Sequence, residues 1–236
     1  MKKFLLVFII FILGKISAQE NIFSTESFII RLTGSNLYVE NLDRELIFES
    51  SFNNPNGNVI DFDNDGFVEF MLNDYSISSG RKYYYTYIYN TVDSFYLIDS
   101  IYSGLKKPYY TYSYELNEVI LITGTPDTDT LNDLQNTEIF SPLICWGFAN
   151  DEFGIINDRL YDIFIDENNK SIDYIDSLYN KDGKNCNTAS ILRSAIAAVF
   201  INYIYADEAA MADKSFNKYY NCEDKVKFKE AIKKLL

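Results

Sequence analysis

Between residues 82 and 89 the chain runs Lys-Tyr-Tyr-Tyr-Thr-Tyr-Ile-Tyr. In an extended chain Tyr83, Tyr85, Tyr87 and Tyr89 then share one face, and Tyr84, Thr86 and Ile88 the other. A two-residue period of aromatic and β-branched side chains suits a strand and wastes a helix. Segments 28–32, 37–41, 46–49, 59–60 and 67–72 have the same character, with turn residues between them. Hairpins are expected from 82–89 with 94–102, from 109–114 with 118–123 around Leu116-Asn117, and from 161–165 with 171–175 through Asp166-Glu167-Asn168-Asn169-Lys170.

The stretch 124–138 is polar and turn-rich. Its acids, Asp127 and Asp129, are candidate cation ligands, although a solvated surface loop is the plainer account of them. After Cys186 the pattern changes. Residues 190–206 are dominated by Ala, Ile, Val and Phe without Gly or Pro, which predicts a helix buried on all sides, with Asn187 or Thr188 as its N-cap. Further helices are expected over 208–220 and 223–236, the last turning Val226, Phe228, Ile232 and Leu235 toward packing, with acids at its start and lysines at its end. The fold class is therefore α+β. An antiparallel, β-rich meander of hairpins, with propeller-blade-like sheets as a variant, occupies 19–180, and a helical subdomain occupies 186–236.

The first eighteen residues have the three parts of a signal peptide. Lys2 and Lys3 are basic, 4–13 is apolar, and Ile16-Ser17-Ala18 offers a small-residue cleavage site. The apolar run is about half the roughly twenty residues that a bilayer crossing requires. No cysteine follows it to carry a lipid anchor. The expected mature chain begins at Gln19 in the periplasm or outside the cell. Losing the leader's three lysines takes the net charge from −13 to −16, with 18 basic residues against 34 acidic. That charge disfavours nucleic acid and anionic membrane, and suits cations or a basic partner. Solubility alone is the plainer use of such charge.

Histidine is absent. Ser-His-Asp and Cys-His catalysis are thereby excluded, as are imidazole-dependent zinc and iron sites. Chemistry here rests on carboxylates, Tyr, Lys, or a hard metal held by oxygen. Of the three cysteines, Cys145 lies in an apolar stretch and is expected to be buried. Cys186 and Cys222 sit at the starts of helical patterns and are expected to pair in an oxidising compartment.

The stretch with chemistry is Asp61-Phe62-Asp63-Asn64-Asp65-Gly66-Phe67-Val68-Glu69. Carboxylates at the first, third and fifth positions converge when the chain curls tightly, and Gly66 permits the turn. The Phe67 carbonyl adds an oxygen and Glu69 closes the far side. Hard oxygens in this number select calcium ahead of magnesium. An EF-hand needs a carboxylate at its twelfth position, where Leu72 stands, and it needs helices where strands are expected here. An acidic turn without metal is the bland alternative.

This stretch resembles the calcium loop of FG-GAP (integrin α-like, VCBS) repeats, whose pattern is D-x-D-x-D-G-x-x-D running into a strand. Asp61, Asp63, Asp65 and Gly66 match, and Glu69 stands where Asp is usual. The resemblance covers one loop, occurs once, and does not imply the family's multi-bladed propeller. It implies a structural Ca2+ held by Asp61, Asp63, Asp65, Phe67 and Glu69. The layout is also similar to small exported single-loop proteins, including inhibitors and immunity proteins against cell-wall hydrolases.

Two weaker patterns remain. Tyrosines on a strand face stack on sugars or fill an interface, though cross-strand packing uses them in the same way. Asp151, Glu152, Asp158 and Asp162 are candidates for a glycosidase acid and nucleophile, which only three-dimensional proximity can establish. Trp146 is most simply core. The expected function is a calcium-stabilised binding module, with a carboxylate glycosidase or carbohydrate-binding module as the alternative.

Overall fold

A computed structural model describes residues 20–126, 140–149, 152–182 and 191–236, with side chains 178–182 excepted. The leader, Asp127, Asp129, Asp151, Cys186, Asn187 and Thr188 lie outside the described residues. So does the expected Cys186–Cys222 pairing.

Among the described residues, twelve antiparallel strands form three four-stranded meanders. Sheet A holds β1 (Glu20–Ser24), β2 (Phe28–Thr33), β3 (Asn36–Asn41) and β4 (Leu46–Ser51). Sheet B holds β5 (Asn56–Ile60), β6 (Glu69–Ser78), β7 (Arg81–Asn90) and β8 (Tyr96–Gly104). Sheet C holds β9 (Tyr109–Ser113), β10 (Glu118–Gly124), β11 (Leu143–Ala149) and β12 (Glu152–Ile155). Helices α1 (Tyr161–Asp182), α2 (Ile191–Tyr205), α3 (Ala209–Tyr219) and α4 (Lys225–Lys233) follow. The fold is α+β and β-rich, and its sheets do not close into a barrel.

The layers stack in chain order, because each buried face needs an apolar neighbour. Ile30, Leu32, Leu37 and Val39 of sheet A meet Phe70, Leu72 and Tyr89 of sheet B. The opposite face of sheet B, with Met71, Ile88 and Ile101, meets Leu121 and Phe148 of sheet C. The far face of sheet C, with Ile120, Ile122 and Cys145, packs on Leu160 and Phe164 ahead of and within α1 and on Ala206 after α2. Cys145 is a free, buried thiol, and burial pushes its pKa up to about 12, so it is inert. Trp146 is half-buried against sheet B and donates its indole N–H to Thr123 Oγ1 at 2.9 Å.

Four tyrosines of β7 are used for packing, Tyr84 against Tyr75 of β6 and three others. Tyr85 stacks on Tyr102 at 4.9 Å, Tyr87 meets Phe52 at 5.2 Å, and Tyr89 stacks on Phe95 at 4.9 Å. These are pairs between neighbouring strands and loops rather than an open platform. Beside the β4–β5 connection, the buried carboxylate of Asp74 accepts from the backbone N–H groups of Asn53 (3.0 Å) and Asn54 (2.5 Å).

Two expectations about the helical part are corrected. Residues 161–175 are one continuous helix, not a hairpin, and Asp166-Glu167-Asn168-Asn169-Lys170 lies in its middle. The burial of Leu160, Phe164, Asn168, Ser171 and Ile175 follows three- and four-residue steps, which a helix satisfies and a strand does not. Asn168, read as a turn residue, is fully buried and donates Nδ2–H to the Val199 carbonyl at 3.2 Å. Glu167 pairs with the buried Lys106 at 2.8 Å, tying α1 to the sheets. In α4, Phe228 and Ile232 are buried and Leu235 packs against the helical core, but Val226 is 71% exposed. Asp224, just ahead of α4, makes no side-chain cap. Its carboxylate faces inward to Arg193 (3.1 Å) and accepts the Tyr220 hydroxyl (2.7 Å).

The central helix α2 is buried along nearly its whole length, as its composition predicts. Asn202 links it to the sheets, its Oδ1 accepting the Leu143 N–H at 2.9 Å. No helix among the described residues is long and apolar enough to cross a membrane.

Candidate metal centre

The acidic loop connects β5 to β6, the first two strands of the middle sheet. Asn64 (φ 61°) and Gly66 (φ 95°) take left-handed conformations that curl the chain back on itself. At Gly66 the conformation itself calls for glycine, since a Cβ there would meet nothing within 4 Å. The curl brings one carboxylate oxygen each from Asp61, Asp63 and Asp65 within 4.8 Å of one another. Backbone donors hold two of the three in place. Asp61 accepts from the N–H groups of Asp65 (3.1 Å) and Gly66 (3.0 Å), and Asp65 from that of Phe67 (2.8 Å).

Asp63 is different. Its Oδ1 is buried and has no hydrogen-bond partner. Burial pushes its carboxyl above the ordinary range and the charge of Asp65 adds to the effect, while the backbone N–H groups of Asp65 and Asp63 partly oppose it. A buried carboxylate oxygen without a donor is costly, and a cation among the three aspartates would supply what it lacks. The donor set is all oxygen, which fits a hard cation. By this test the three aspartates fit a hard metal cation.

Glu69 lies at the base of the loop as the first residue of β6, and it is buried. Its Oε2 accepts the Phe62 N–H at 3.2 Å. Burial raises its pKa to about 7. The Phe62 N–H opposes that rise, and the charges of Asp63, Asp65 and Asp61 add to it. Of the five expected ligands, the loop gathers the three aspartates into one cluster, with Glu69 close enough to feel their charge. Phe67 is 41% exposed at the rim of the loop.

Phe62 was not foreseen as part of the site. It stands between two aspartates, yet its ring is fully buried, edge-on to Phe153 at 5.0 Å and near Phe148 at 6.3 Å. Its carbonyl accepts the Val119 N–H at 2.8 Å. The ring therefore anchors the middle of the loop to sheet C, while its flanking carboxylates turn toward one another. An apolar residue among acids was the available signal. On the exit side, the Thr91 hydroxyl donates to the Val68 carbonyl. A cleft of about 290 Å³ opens beside Gly66 and Phe67, bordered by Glu26 of the β1–β2 turn.

The other candidate acids divide between two places. Asp158 and Asp162 share a cleft at the start of α1, and Glu152 lines a smaller one at β12. Comparison with known proteins gives no match among family models, curated proteins or solved structures.

Proposed function

We propose that the chain is an exported, calcium-binding protein that acts by binding rather than by catalysis. Asp61, Asp63 and Asp65 hold the ion, with the Phe67 carbonyl and Glu69 completing its shell. Asp63 supports this most directly: its buried oxygen has no donor and sits within a triad of carboxylates. The ion's role is structural. It cancels repulsion among the acids and locks the turn between β5 and β6, in a compartment where calcium is not scarce.

The test is thermal unfolding of the full chain with calcium and with a chelator. At a hundredfold excess over Kd, calcium should add about 2.7 kcal/mol. For a chain of this size that corresponds to a rise in Tm of roughly 2–4 °C per kcal/mol. Asp63→Ala should abolish the difference. An identical Tm in both conditions would remove the metal from the account.

The net charge of −16 expected for the mature chain favours a basic protein partner, of the kind an inhibitor or immunity-type protein would meet. Pull-down from the native exported fraction at low salt should retain such a partner, and raised salt should release it. An empty pull-down at low salt would refute this part of the reading.

A further inference from the structure

β9 is an edge strand of sheet C, paired with β10 on one side, and its residues are exposed up to Ser113. Where β9 turns toward β10, it faces the start of α1 across a cleft of about 710 Å³. Three tyrosine rings border that cleft. Tyr112, Tyr114 and Tyr161 are 40%, 91% and 48% exposed, whereas Tyr84, Tyr85, Tyr87 and Tyr89 of β7 are paired or buried. Tyr112 is fixed in place. Its hydroxyl donates to Asn117 Oδ1 at 2.6 Å, and its ring meets Tyr114 edge-on at 5.1 Å and 78°. Tyr114, in edge-to-face contact with that ring, keeps nearly all of its own surface open to solvent.

Around these rings stand Glu115, Asp158 and Asp162 as acceptors and Arg159 as a donor, all lining the same cleft. Aromatic plates with a polar surround match one kind of ligand closely. A pyranose ring has an apolar C–H face that stacks on an aromatic side chain, and a rim of hydroxyls that both donate and accept. The cleft is of the size that encloses small ligands. Three carboxylates against one guanidinium leave the cleft net negative, which repels an anionic chain, while the aromatic plates suit a sugar ring better than a cationic chain that would use charge alone. We propose that this cleft is a binding site for a neutral saccharide, with Tyr114 and Tyr161 as stacking platforms and Asp162 and Arg159 bonding to ring hydroxyls. The site lies on sheet C and α1, not on the metal loop of sheet B, and does not depend on calcium.

Native affinity electrophoresis of the full chain tests this, with gels containing a soluble β-glucan, xylan, galactomannan or, as the anionic control, alginate. At least one neutral polysaccharide should retard the protein, with or without a chelator, while alginate should not. Tyr114→Ala should weaken the interaction about tenfold, roughly 1.4 kcal/mol, without changing the unfolding midpoint, because the ring is almost wholly exposed. The proposal fails if no neutral polysaccharide retards the protein. It also fails if the Tyr112→Ala/Tyr114→Ala protein is retarded as strongly as the native one, or if an oligolysine displaces the polysaccharide at lower concentration than a free oligosaccharide does. Loss of retardation on chelation would instead place the ligand at the metal loop and overturn the assignment to this cleft.

Discussion

Alanine in place of Phe62 is expected to lower stability by about 3–5 kcal/mol, the cost of emptying a buried phenylalanine site. The ring fills the joint between sheets B and C against Phe148 and Phe153. Its loss also frees the segment that carries Asp61 and Asp63. Calcium would then have to order the loop as it binds, so its affinity should fall about tenfold or more. Phe67→Ala is the matched control. That side chain is exposed and the ion would use only the backbone carbonyl, so both quantities should stay near the native values. Urea unfolding and a calcium titration on the two variants decide the matter. Equal losses in both variants would show that the loop is not anchored through Phe62.

Glu69 carries the second large effect, through protons. In the metal-free protein its pKa is raised from 4.5 to about 7, chiefly by burial. Between those values the folded chain holds a proton that the unfolded chain has released. By linkage, metal-free stability therefore falls as pH rises through this window, and the penalty is complete above about pH 7. Each tenfold change in proton affinity is worth about 1.36 kcal/mol, which sets an upper bound of about 3 kcal/mol. Solvent screening on the open side of the loop lowers the expected penalty to roughly 2 kcal/mol. Glu69→Gln keeps an acceptor for the Phe62 N–H without the charge. It should make the metal-free protein more stable than the native one at pH 8, and leave the two nearly equal at pH 4.5. Calcium should reverse the order at pH 8, since a carboxylate ligand helps hold the ion and an amide does so poorly. Unfolding midpoints of the two proteins at both pH values provide the measurement. If the glutamine protein were the less stable at pH 8 in chelator, the buried-carboxyl account would be wrong.

Much of the β region was legible because its strands alternate and its turns are marked. The hairpins of β7 with β8 and of β9 with β10 follow directly from Tyr-rich periods bounded by polar residues. α2 was equally plain, since its composition fits only a buried helix. α1 was not legible. Its middle, Asp166 to Lys170, carries residues that favour turns, and local preference yields there to the contacts of Phe164, Asn168 and Ile175 with neighbouring layers. Val226 misled for a related reason. α4 buries a narrow stripe centred on Phe228 and Ile232, and a valine two positions earlier falls on its open side. At the acidic loop the spacing of Asp61, Asp63 and Asp65 was enough to foresee their cluster. The role of Phe62 depended on sheet C, which is distant in sequence. The cleft at Tyr114 likewise joins segments more than forty residues apart.

One consequence of the layered arrangement concerns the alignment of strands. A strand with one dry face and one wet face cannot slip by a residue, because its apolar set would turn to water. β6 has no such protection where it starts: Glu69, Phe70, Met71 and Leu72 are all buried, since sheet B is covered on both sides. Sliding this strand by one position would exchange Phe70 and Leu72 with Met71 at little hydrophobic cost. Besides the fit of the Phe70 ring over Gly57, what distinguishes the correct alignment is polar and sits at fixed points along the strand. The Glu69 carboxylate meets the Phe62 N–H at one end, and the Asp74 carboxylate meets the Asn53 and Asn54 N–H groups further along. The acidic loop is thus also an index mark for the central sheet, and an ion bound there would secure the pairing of β5 with β6 as well as the turn between them.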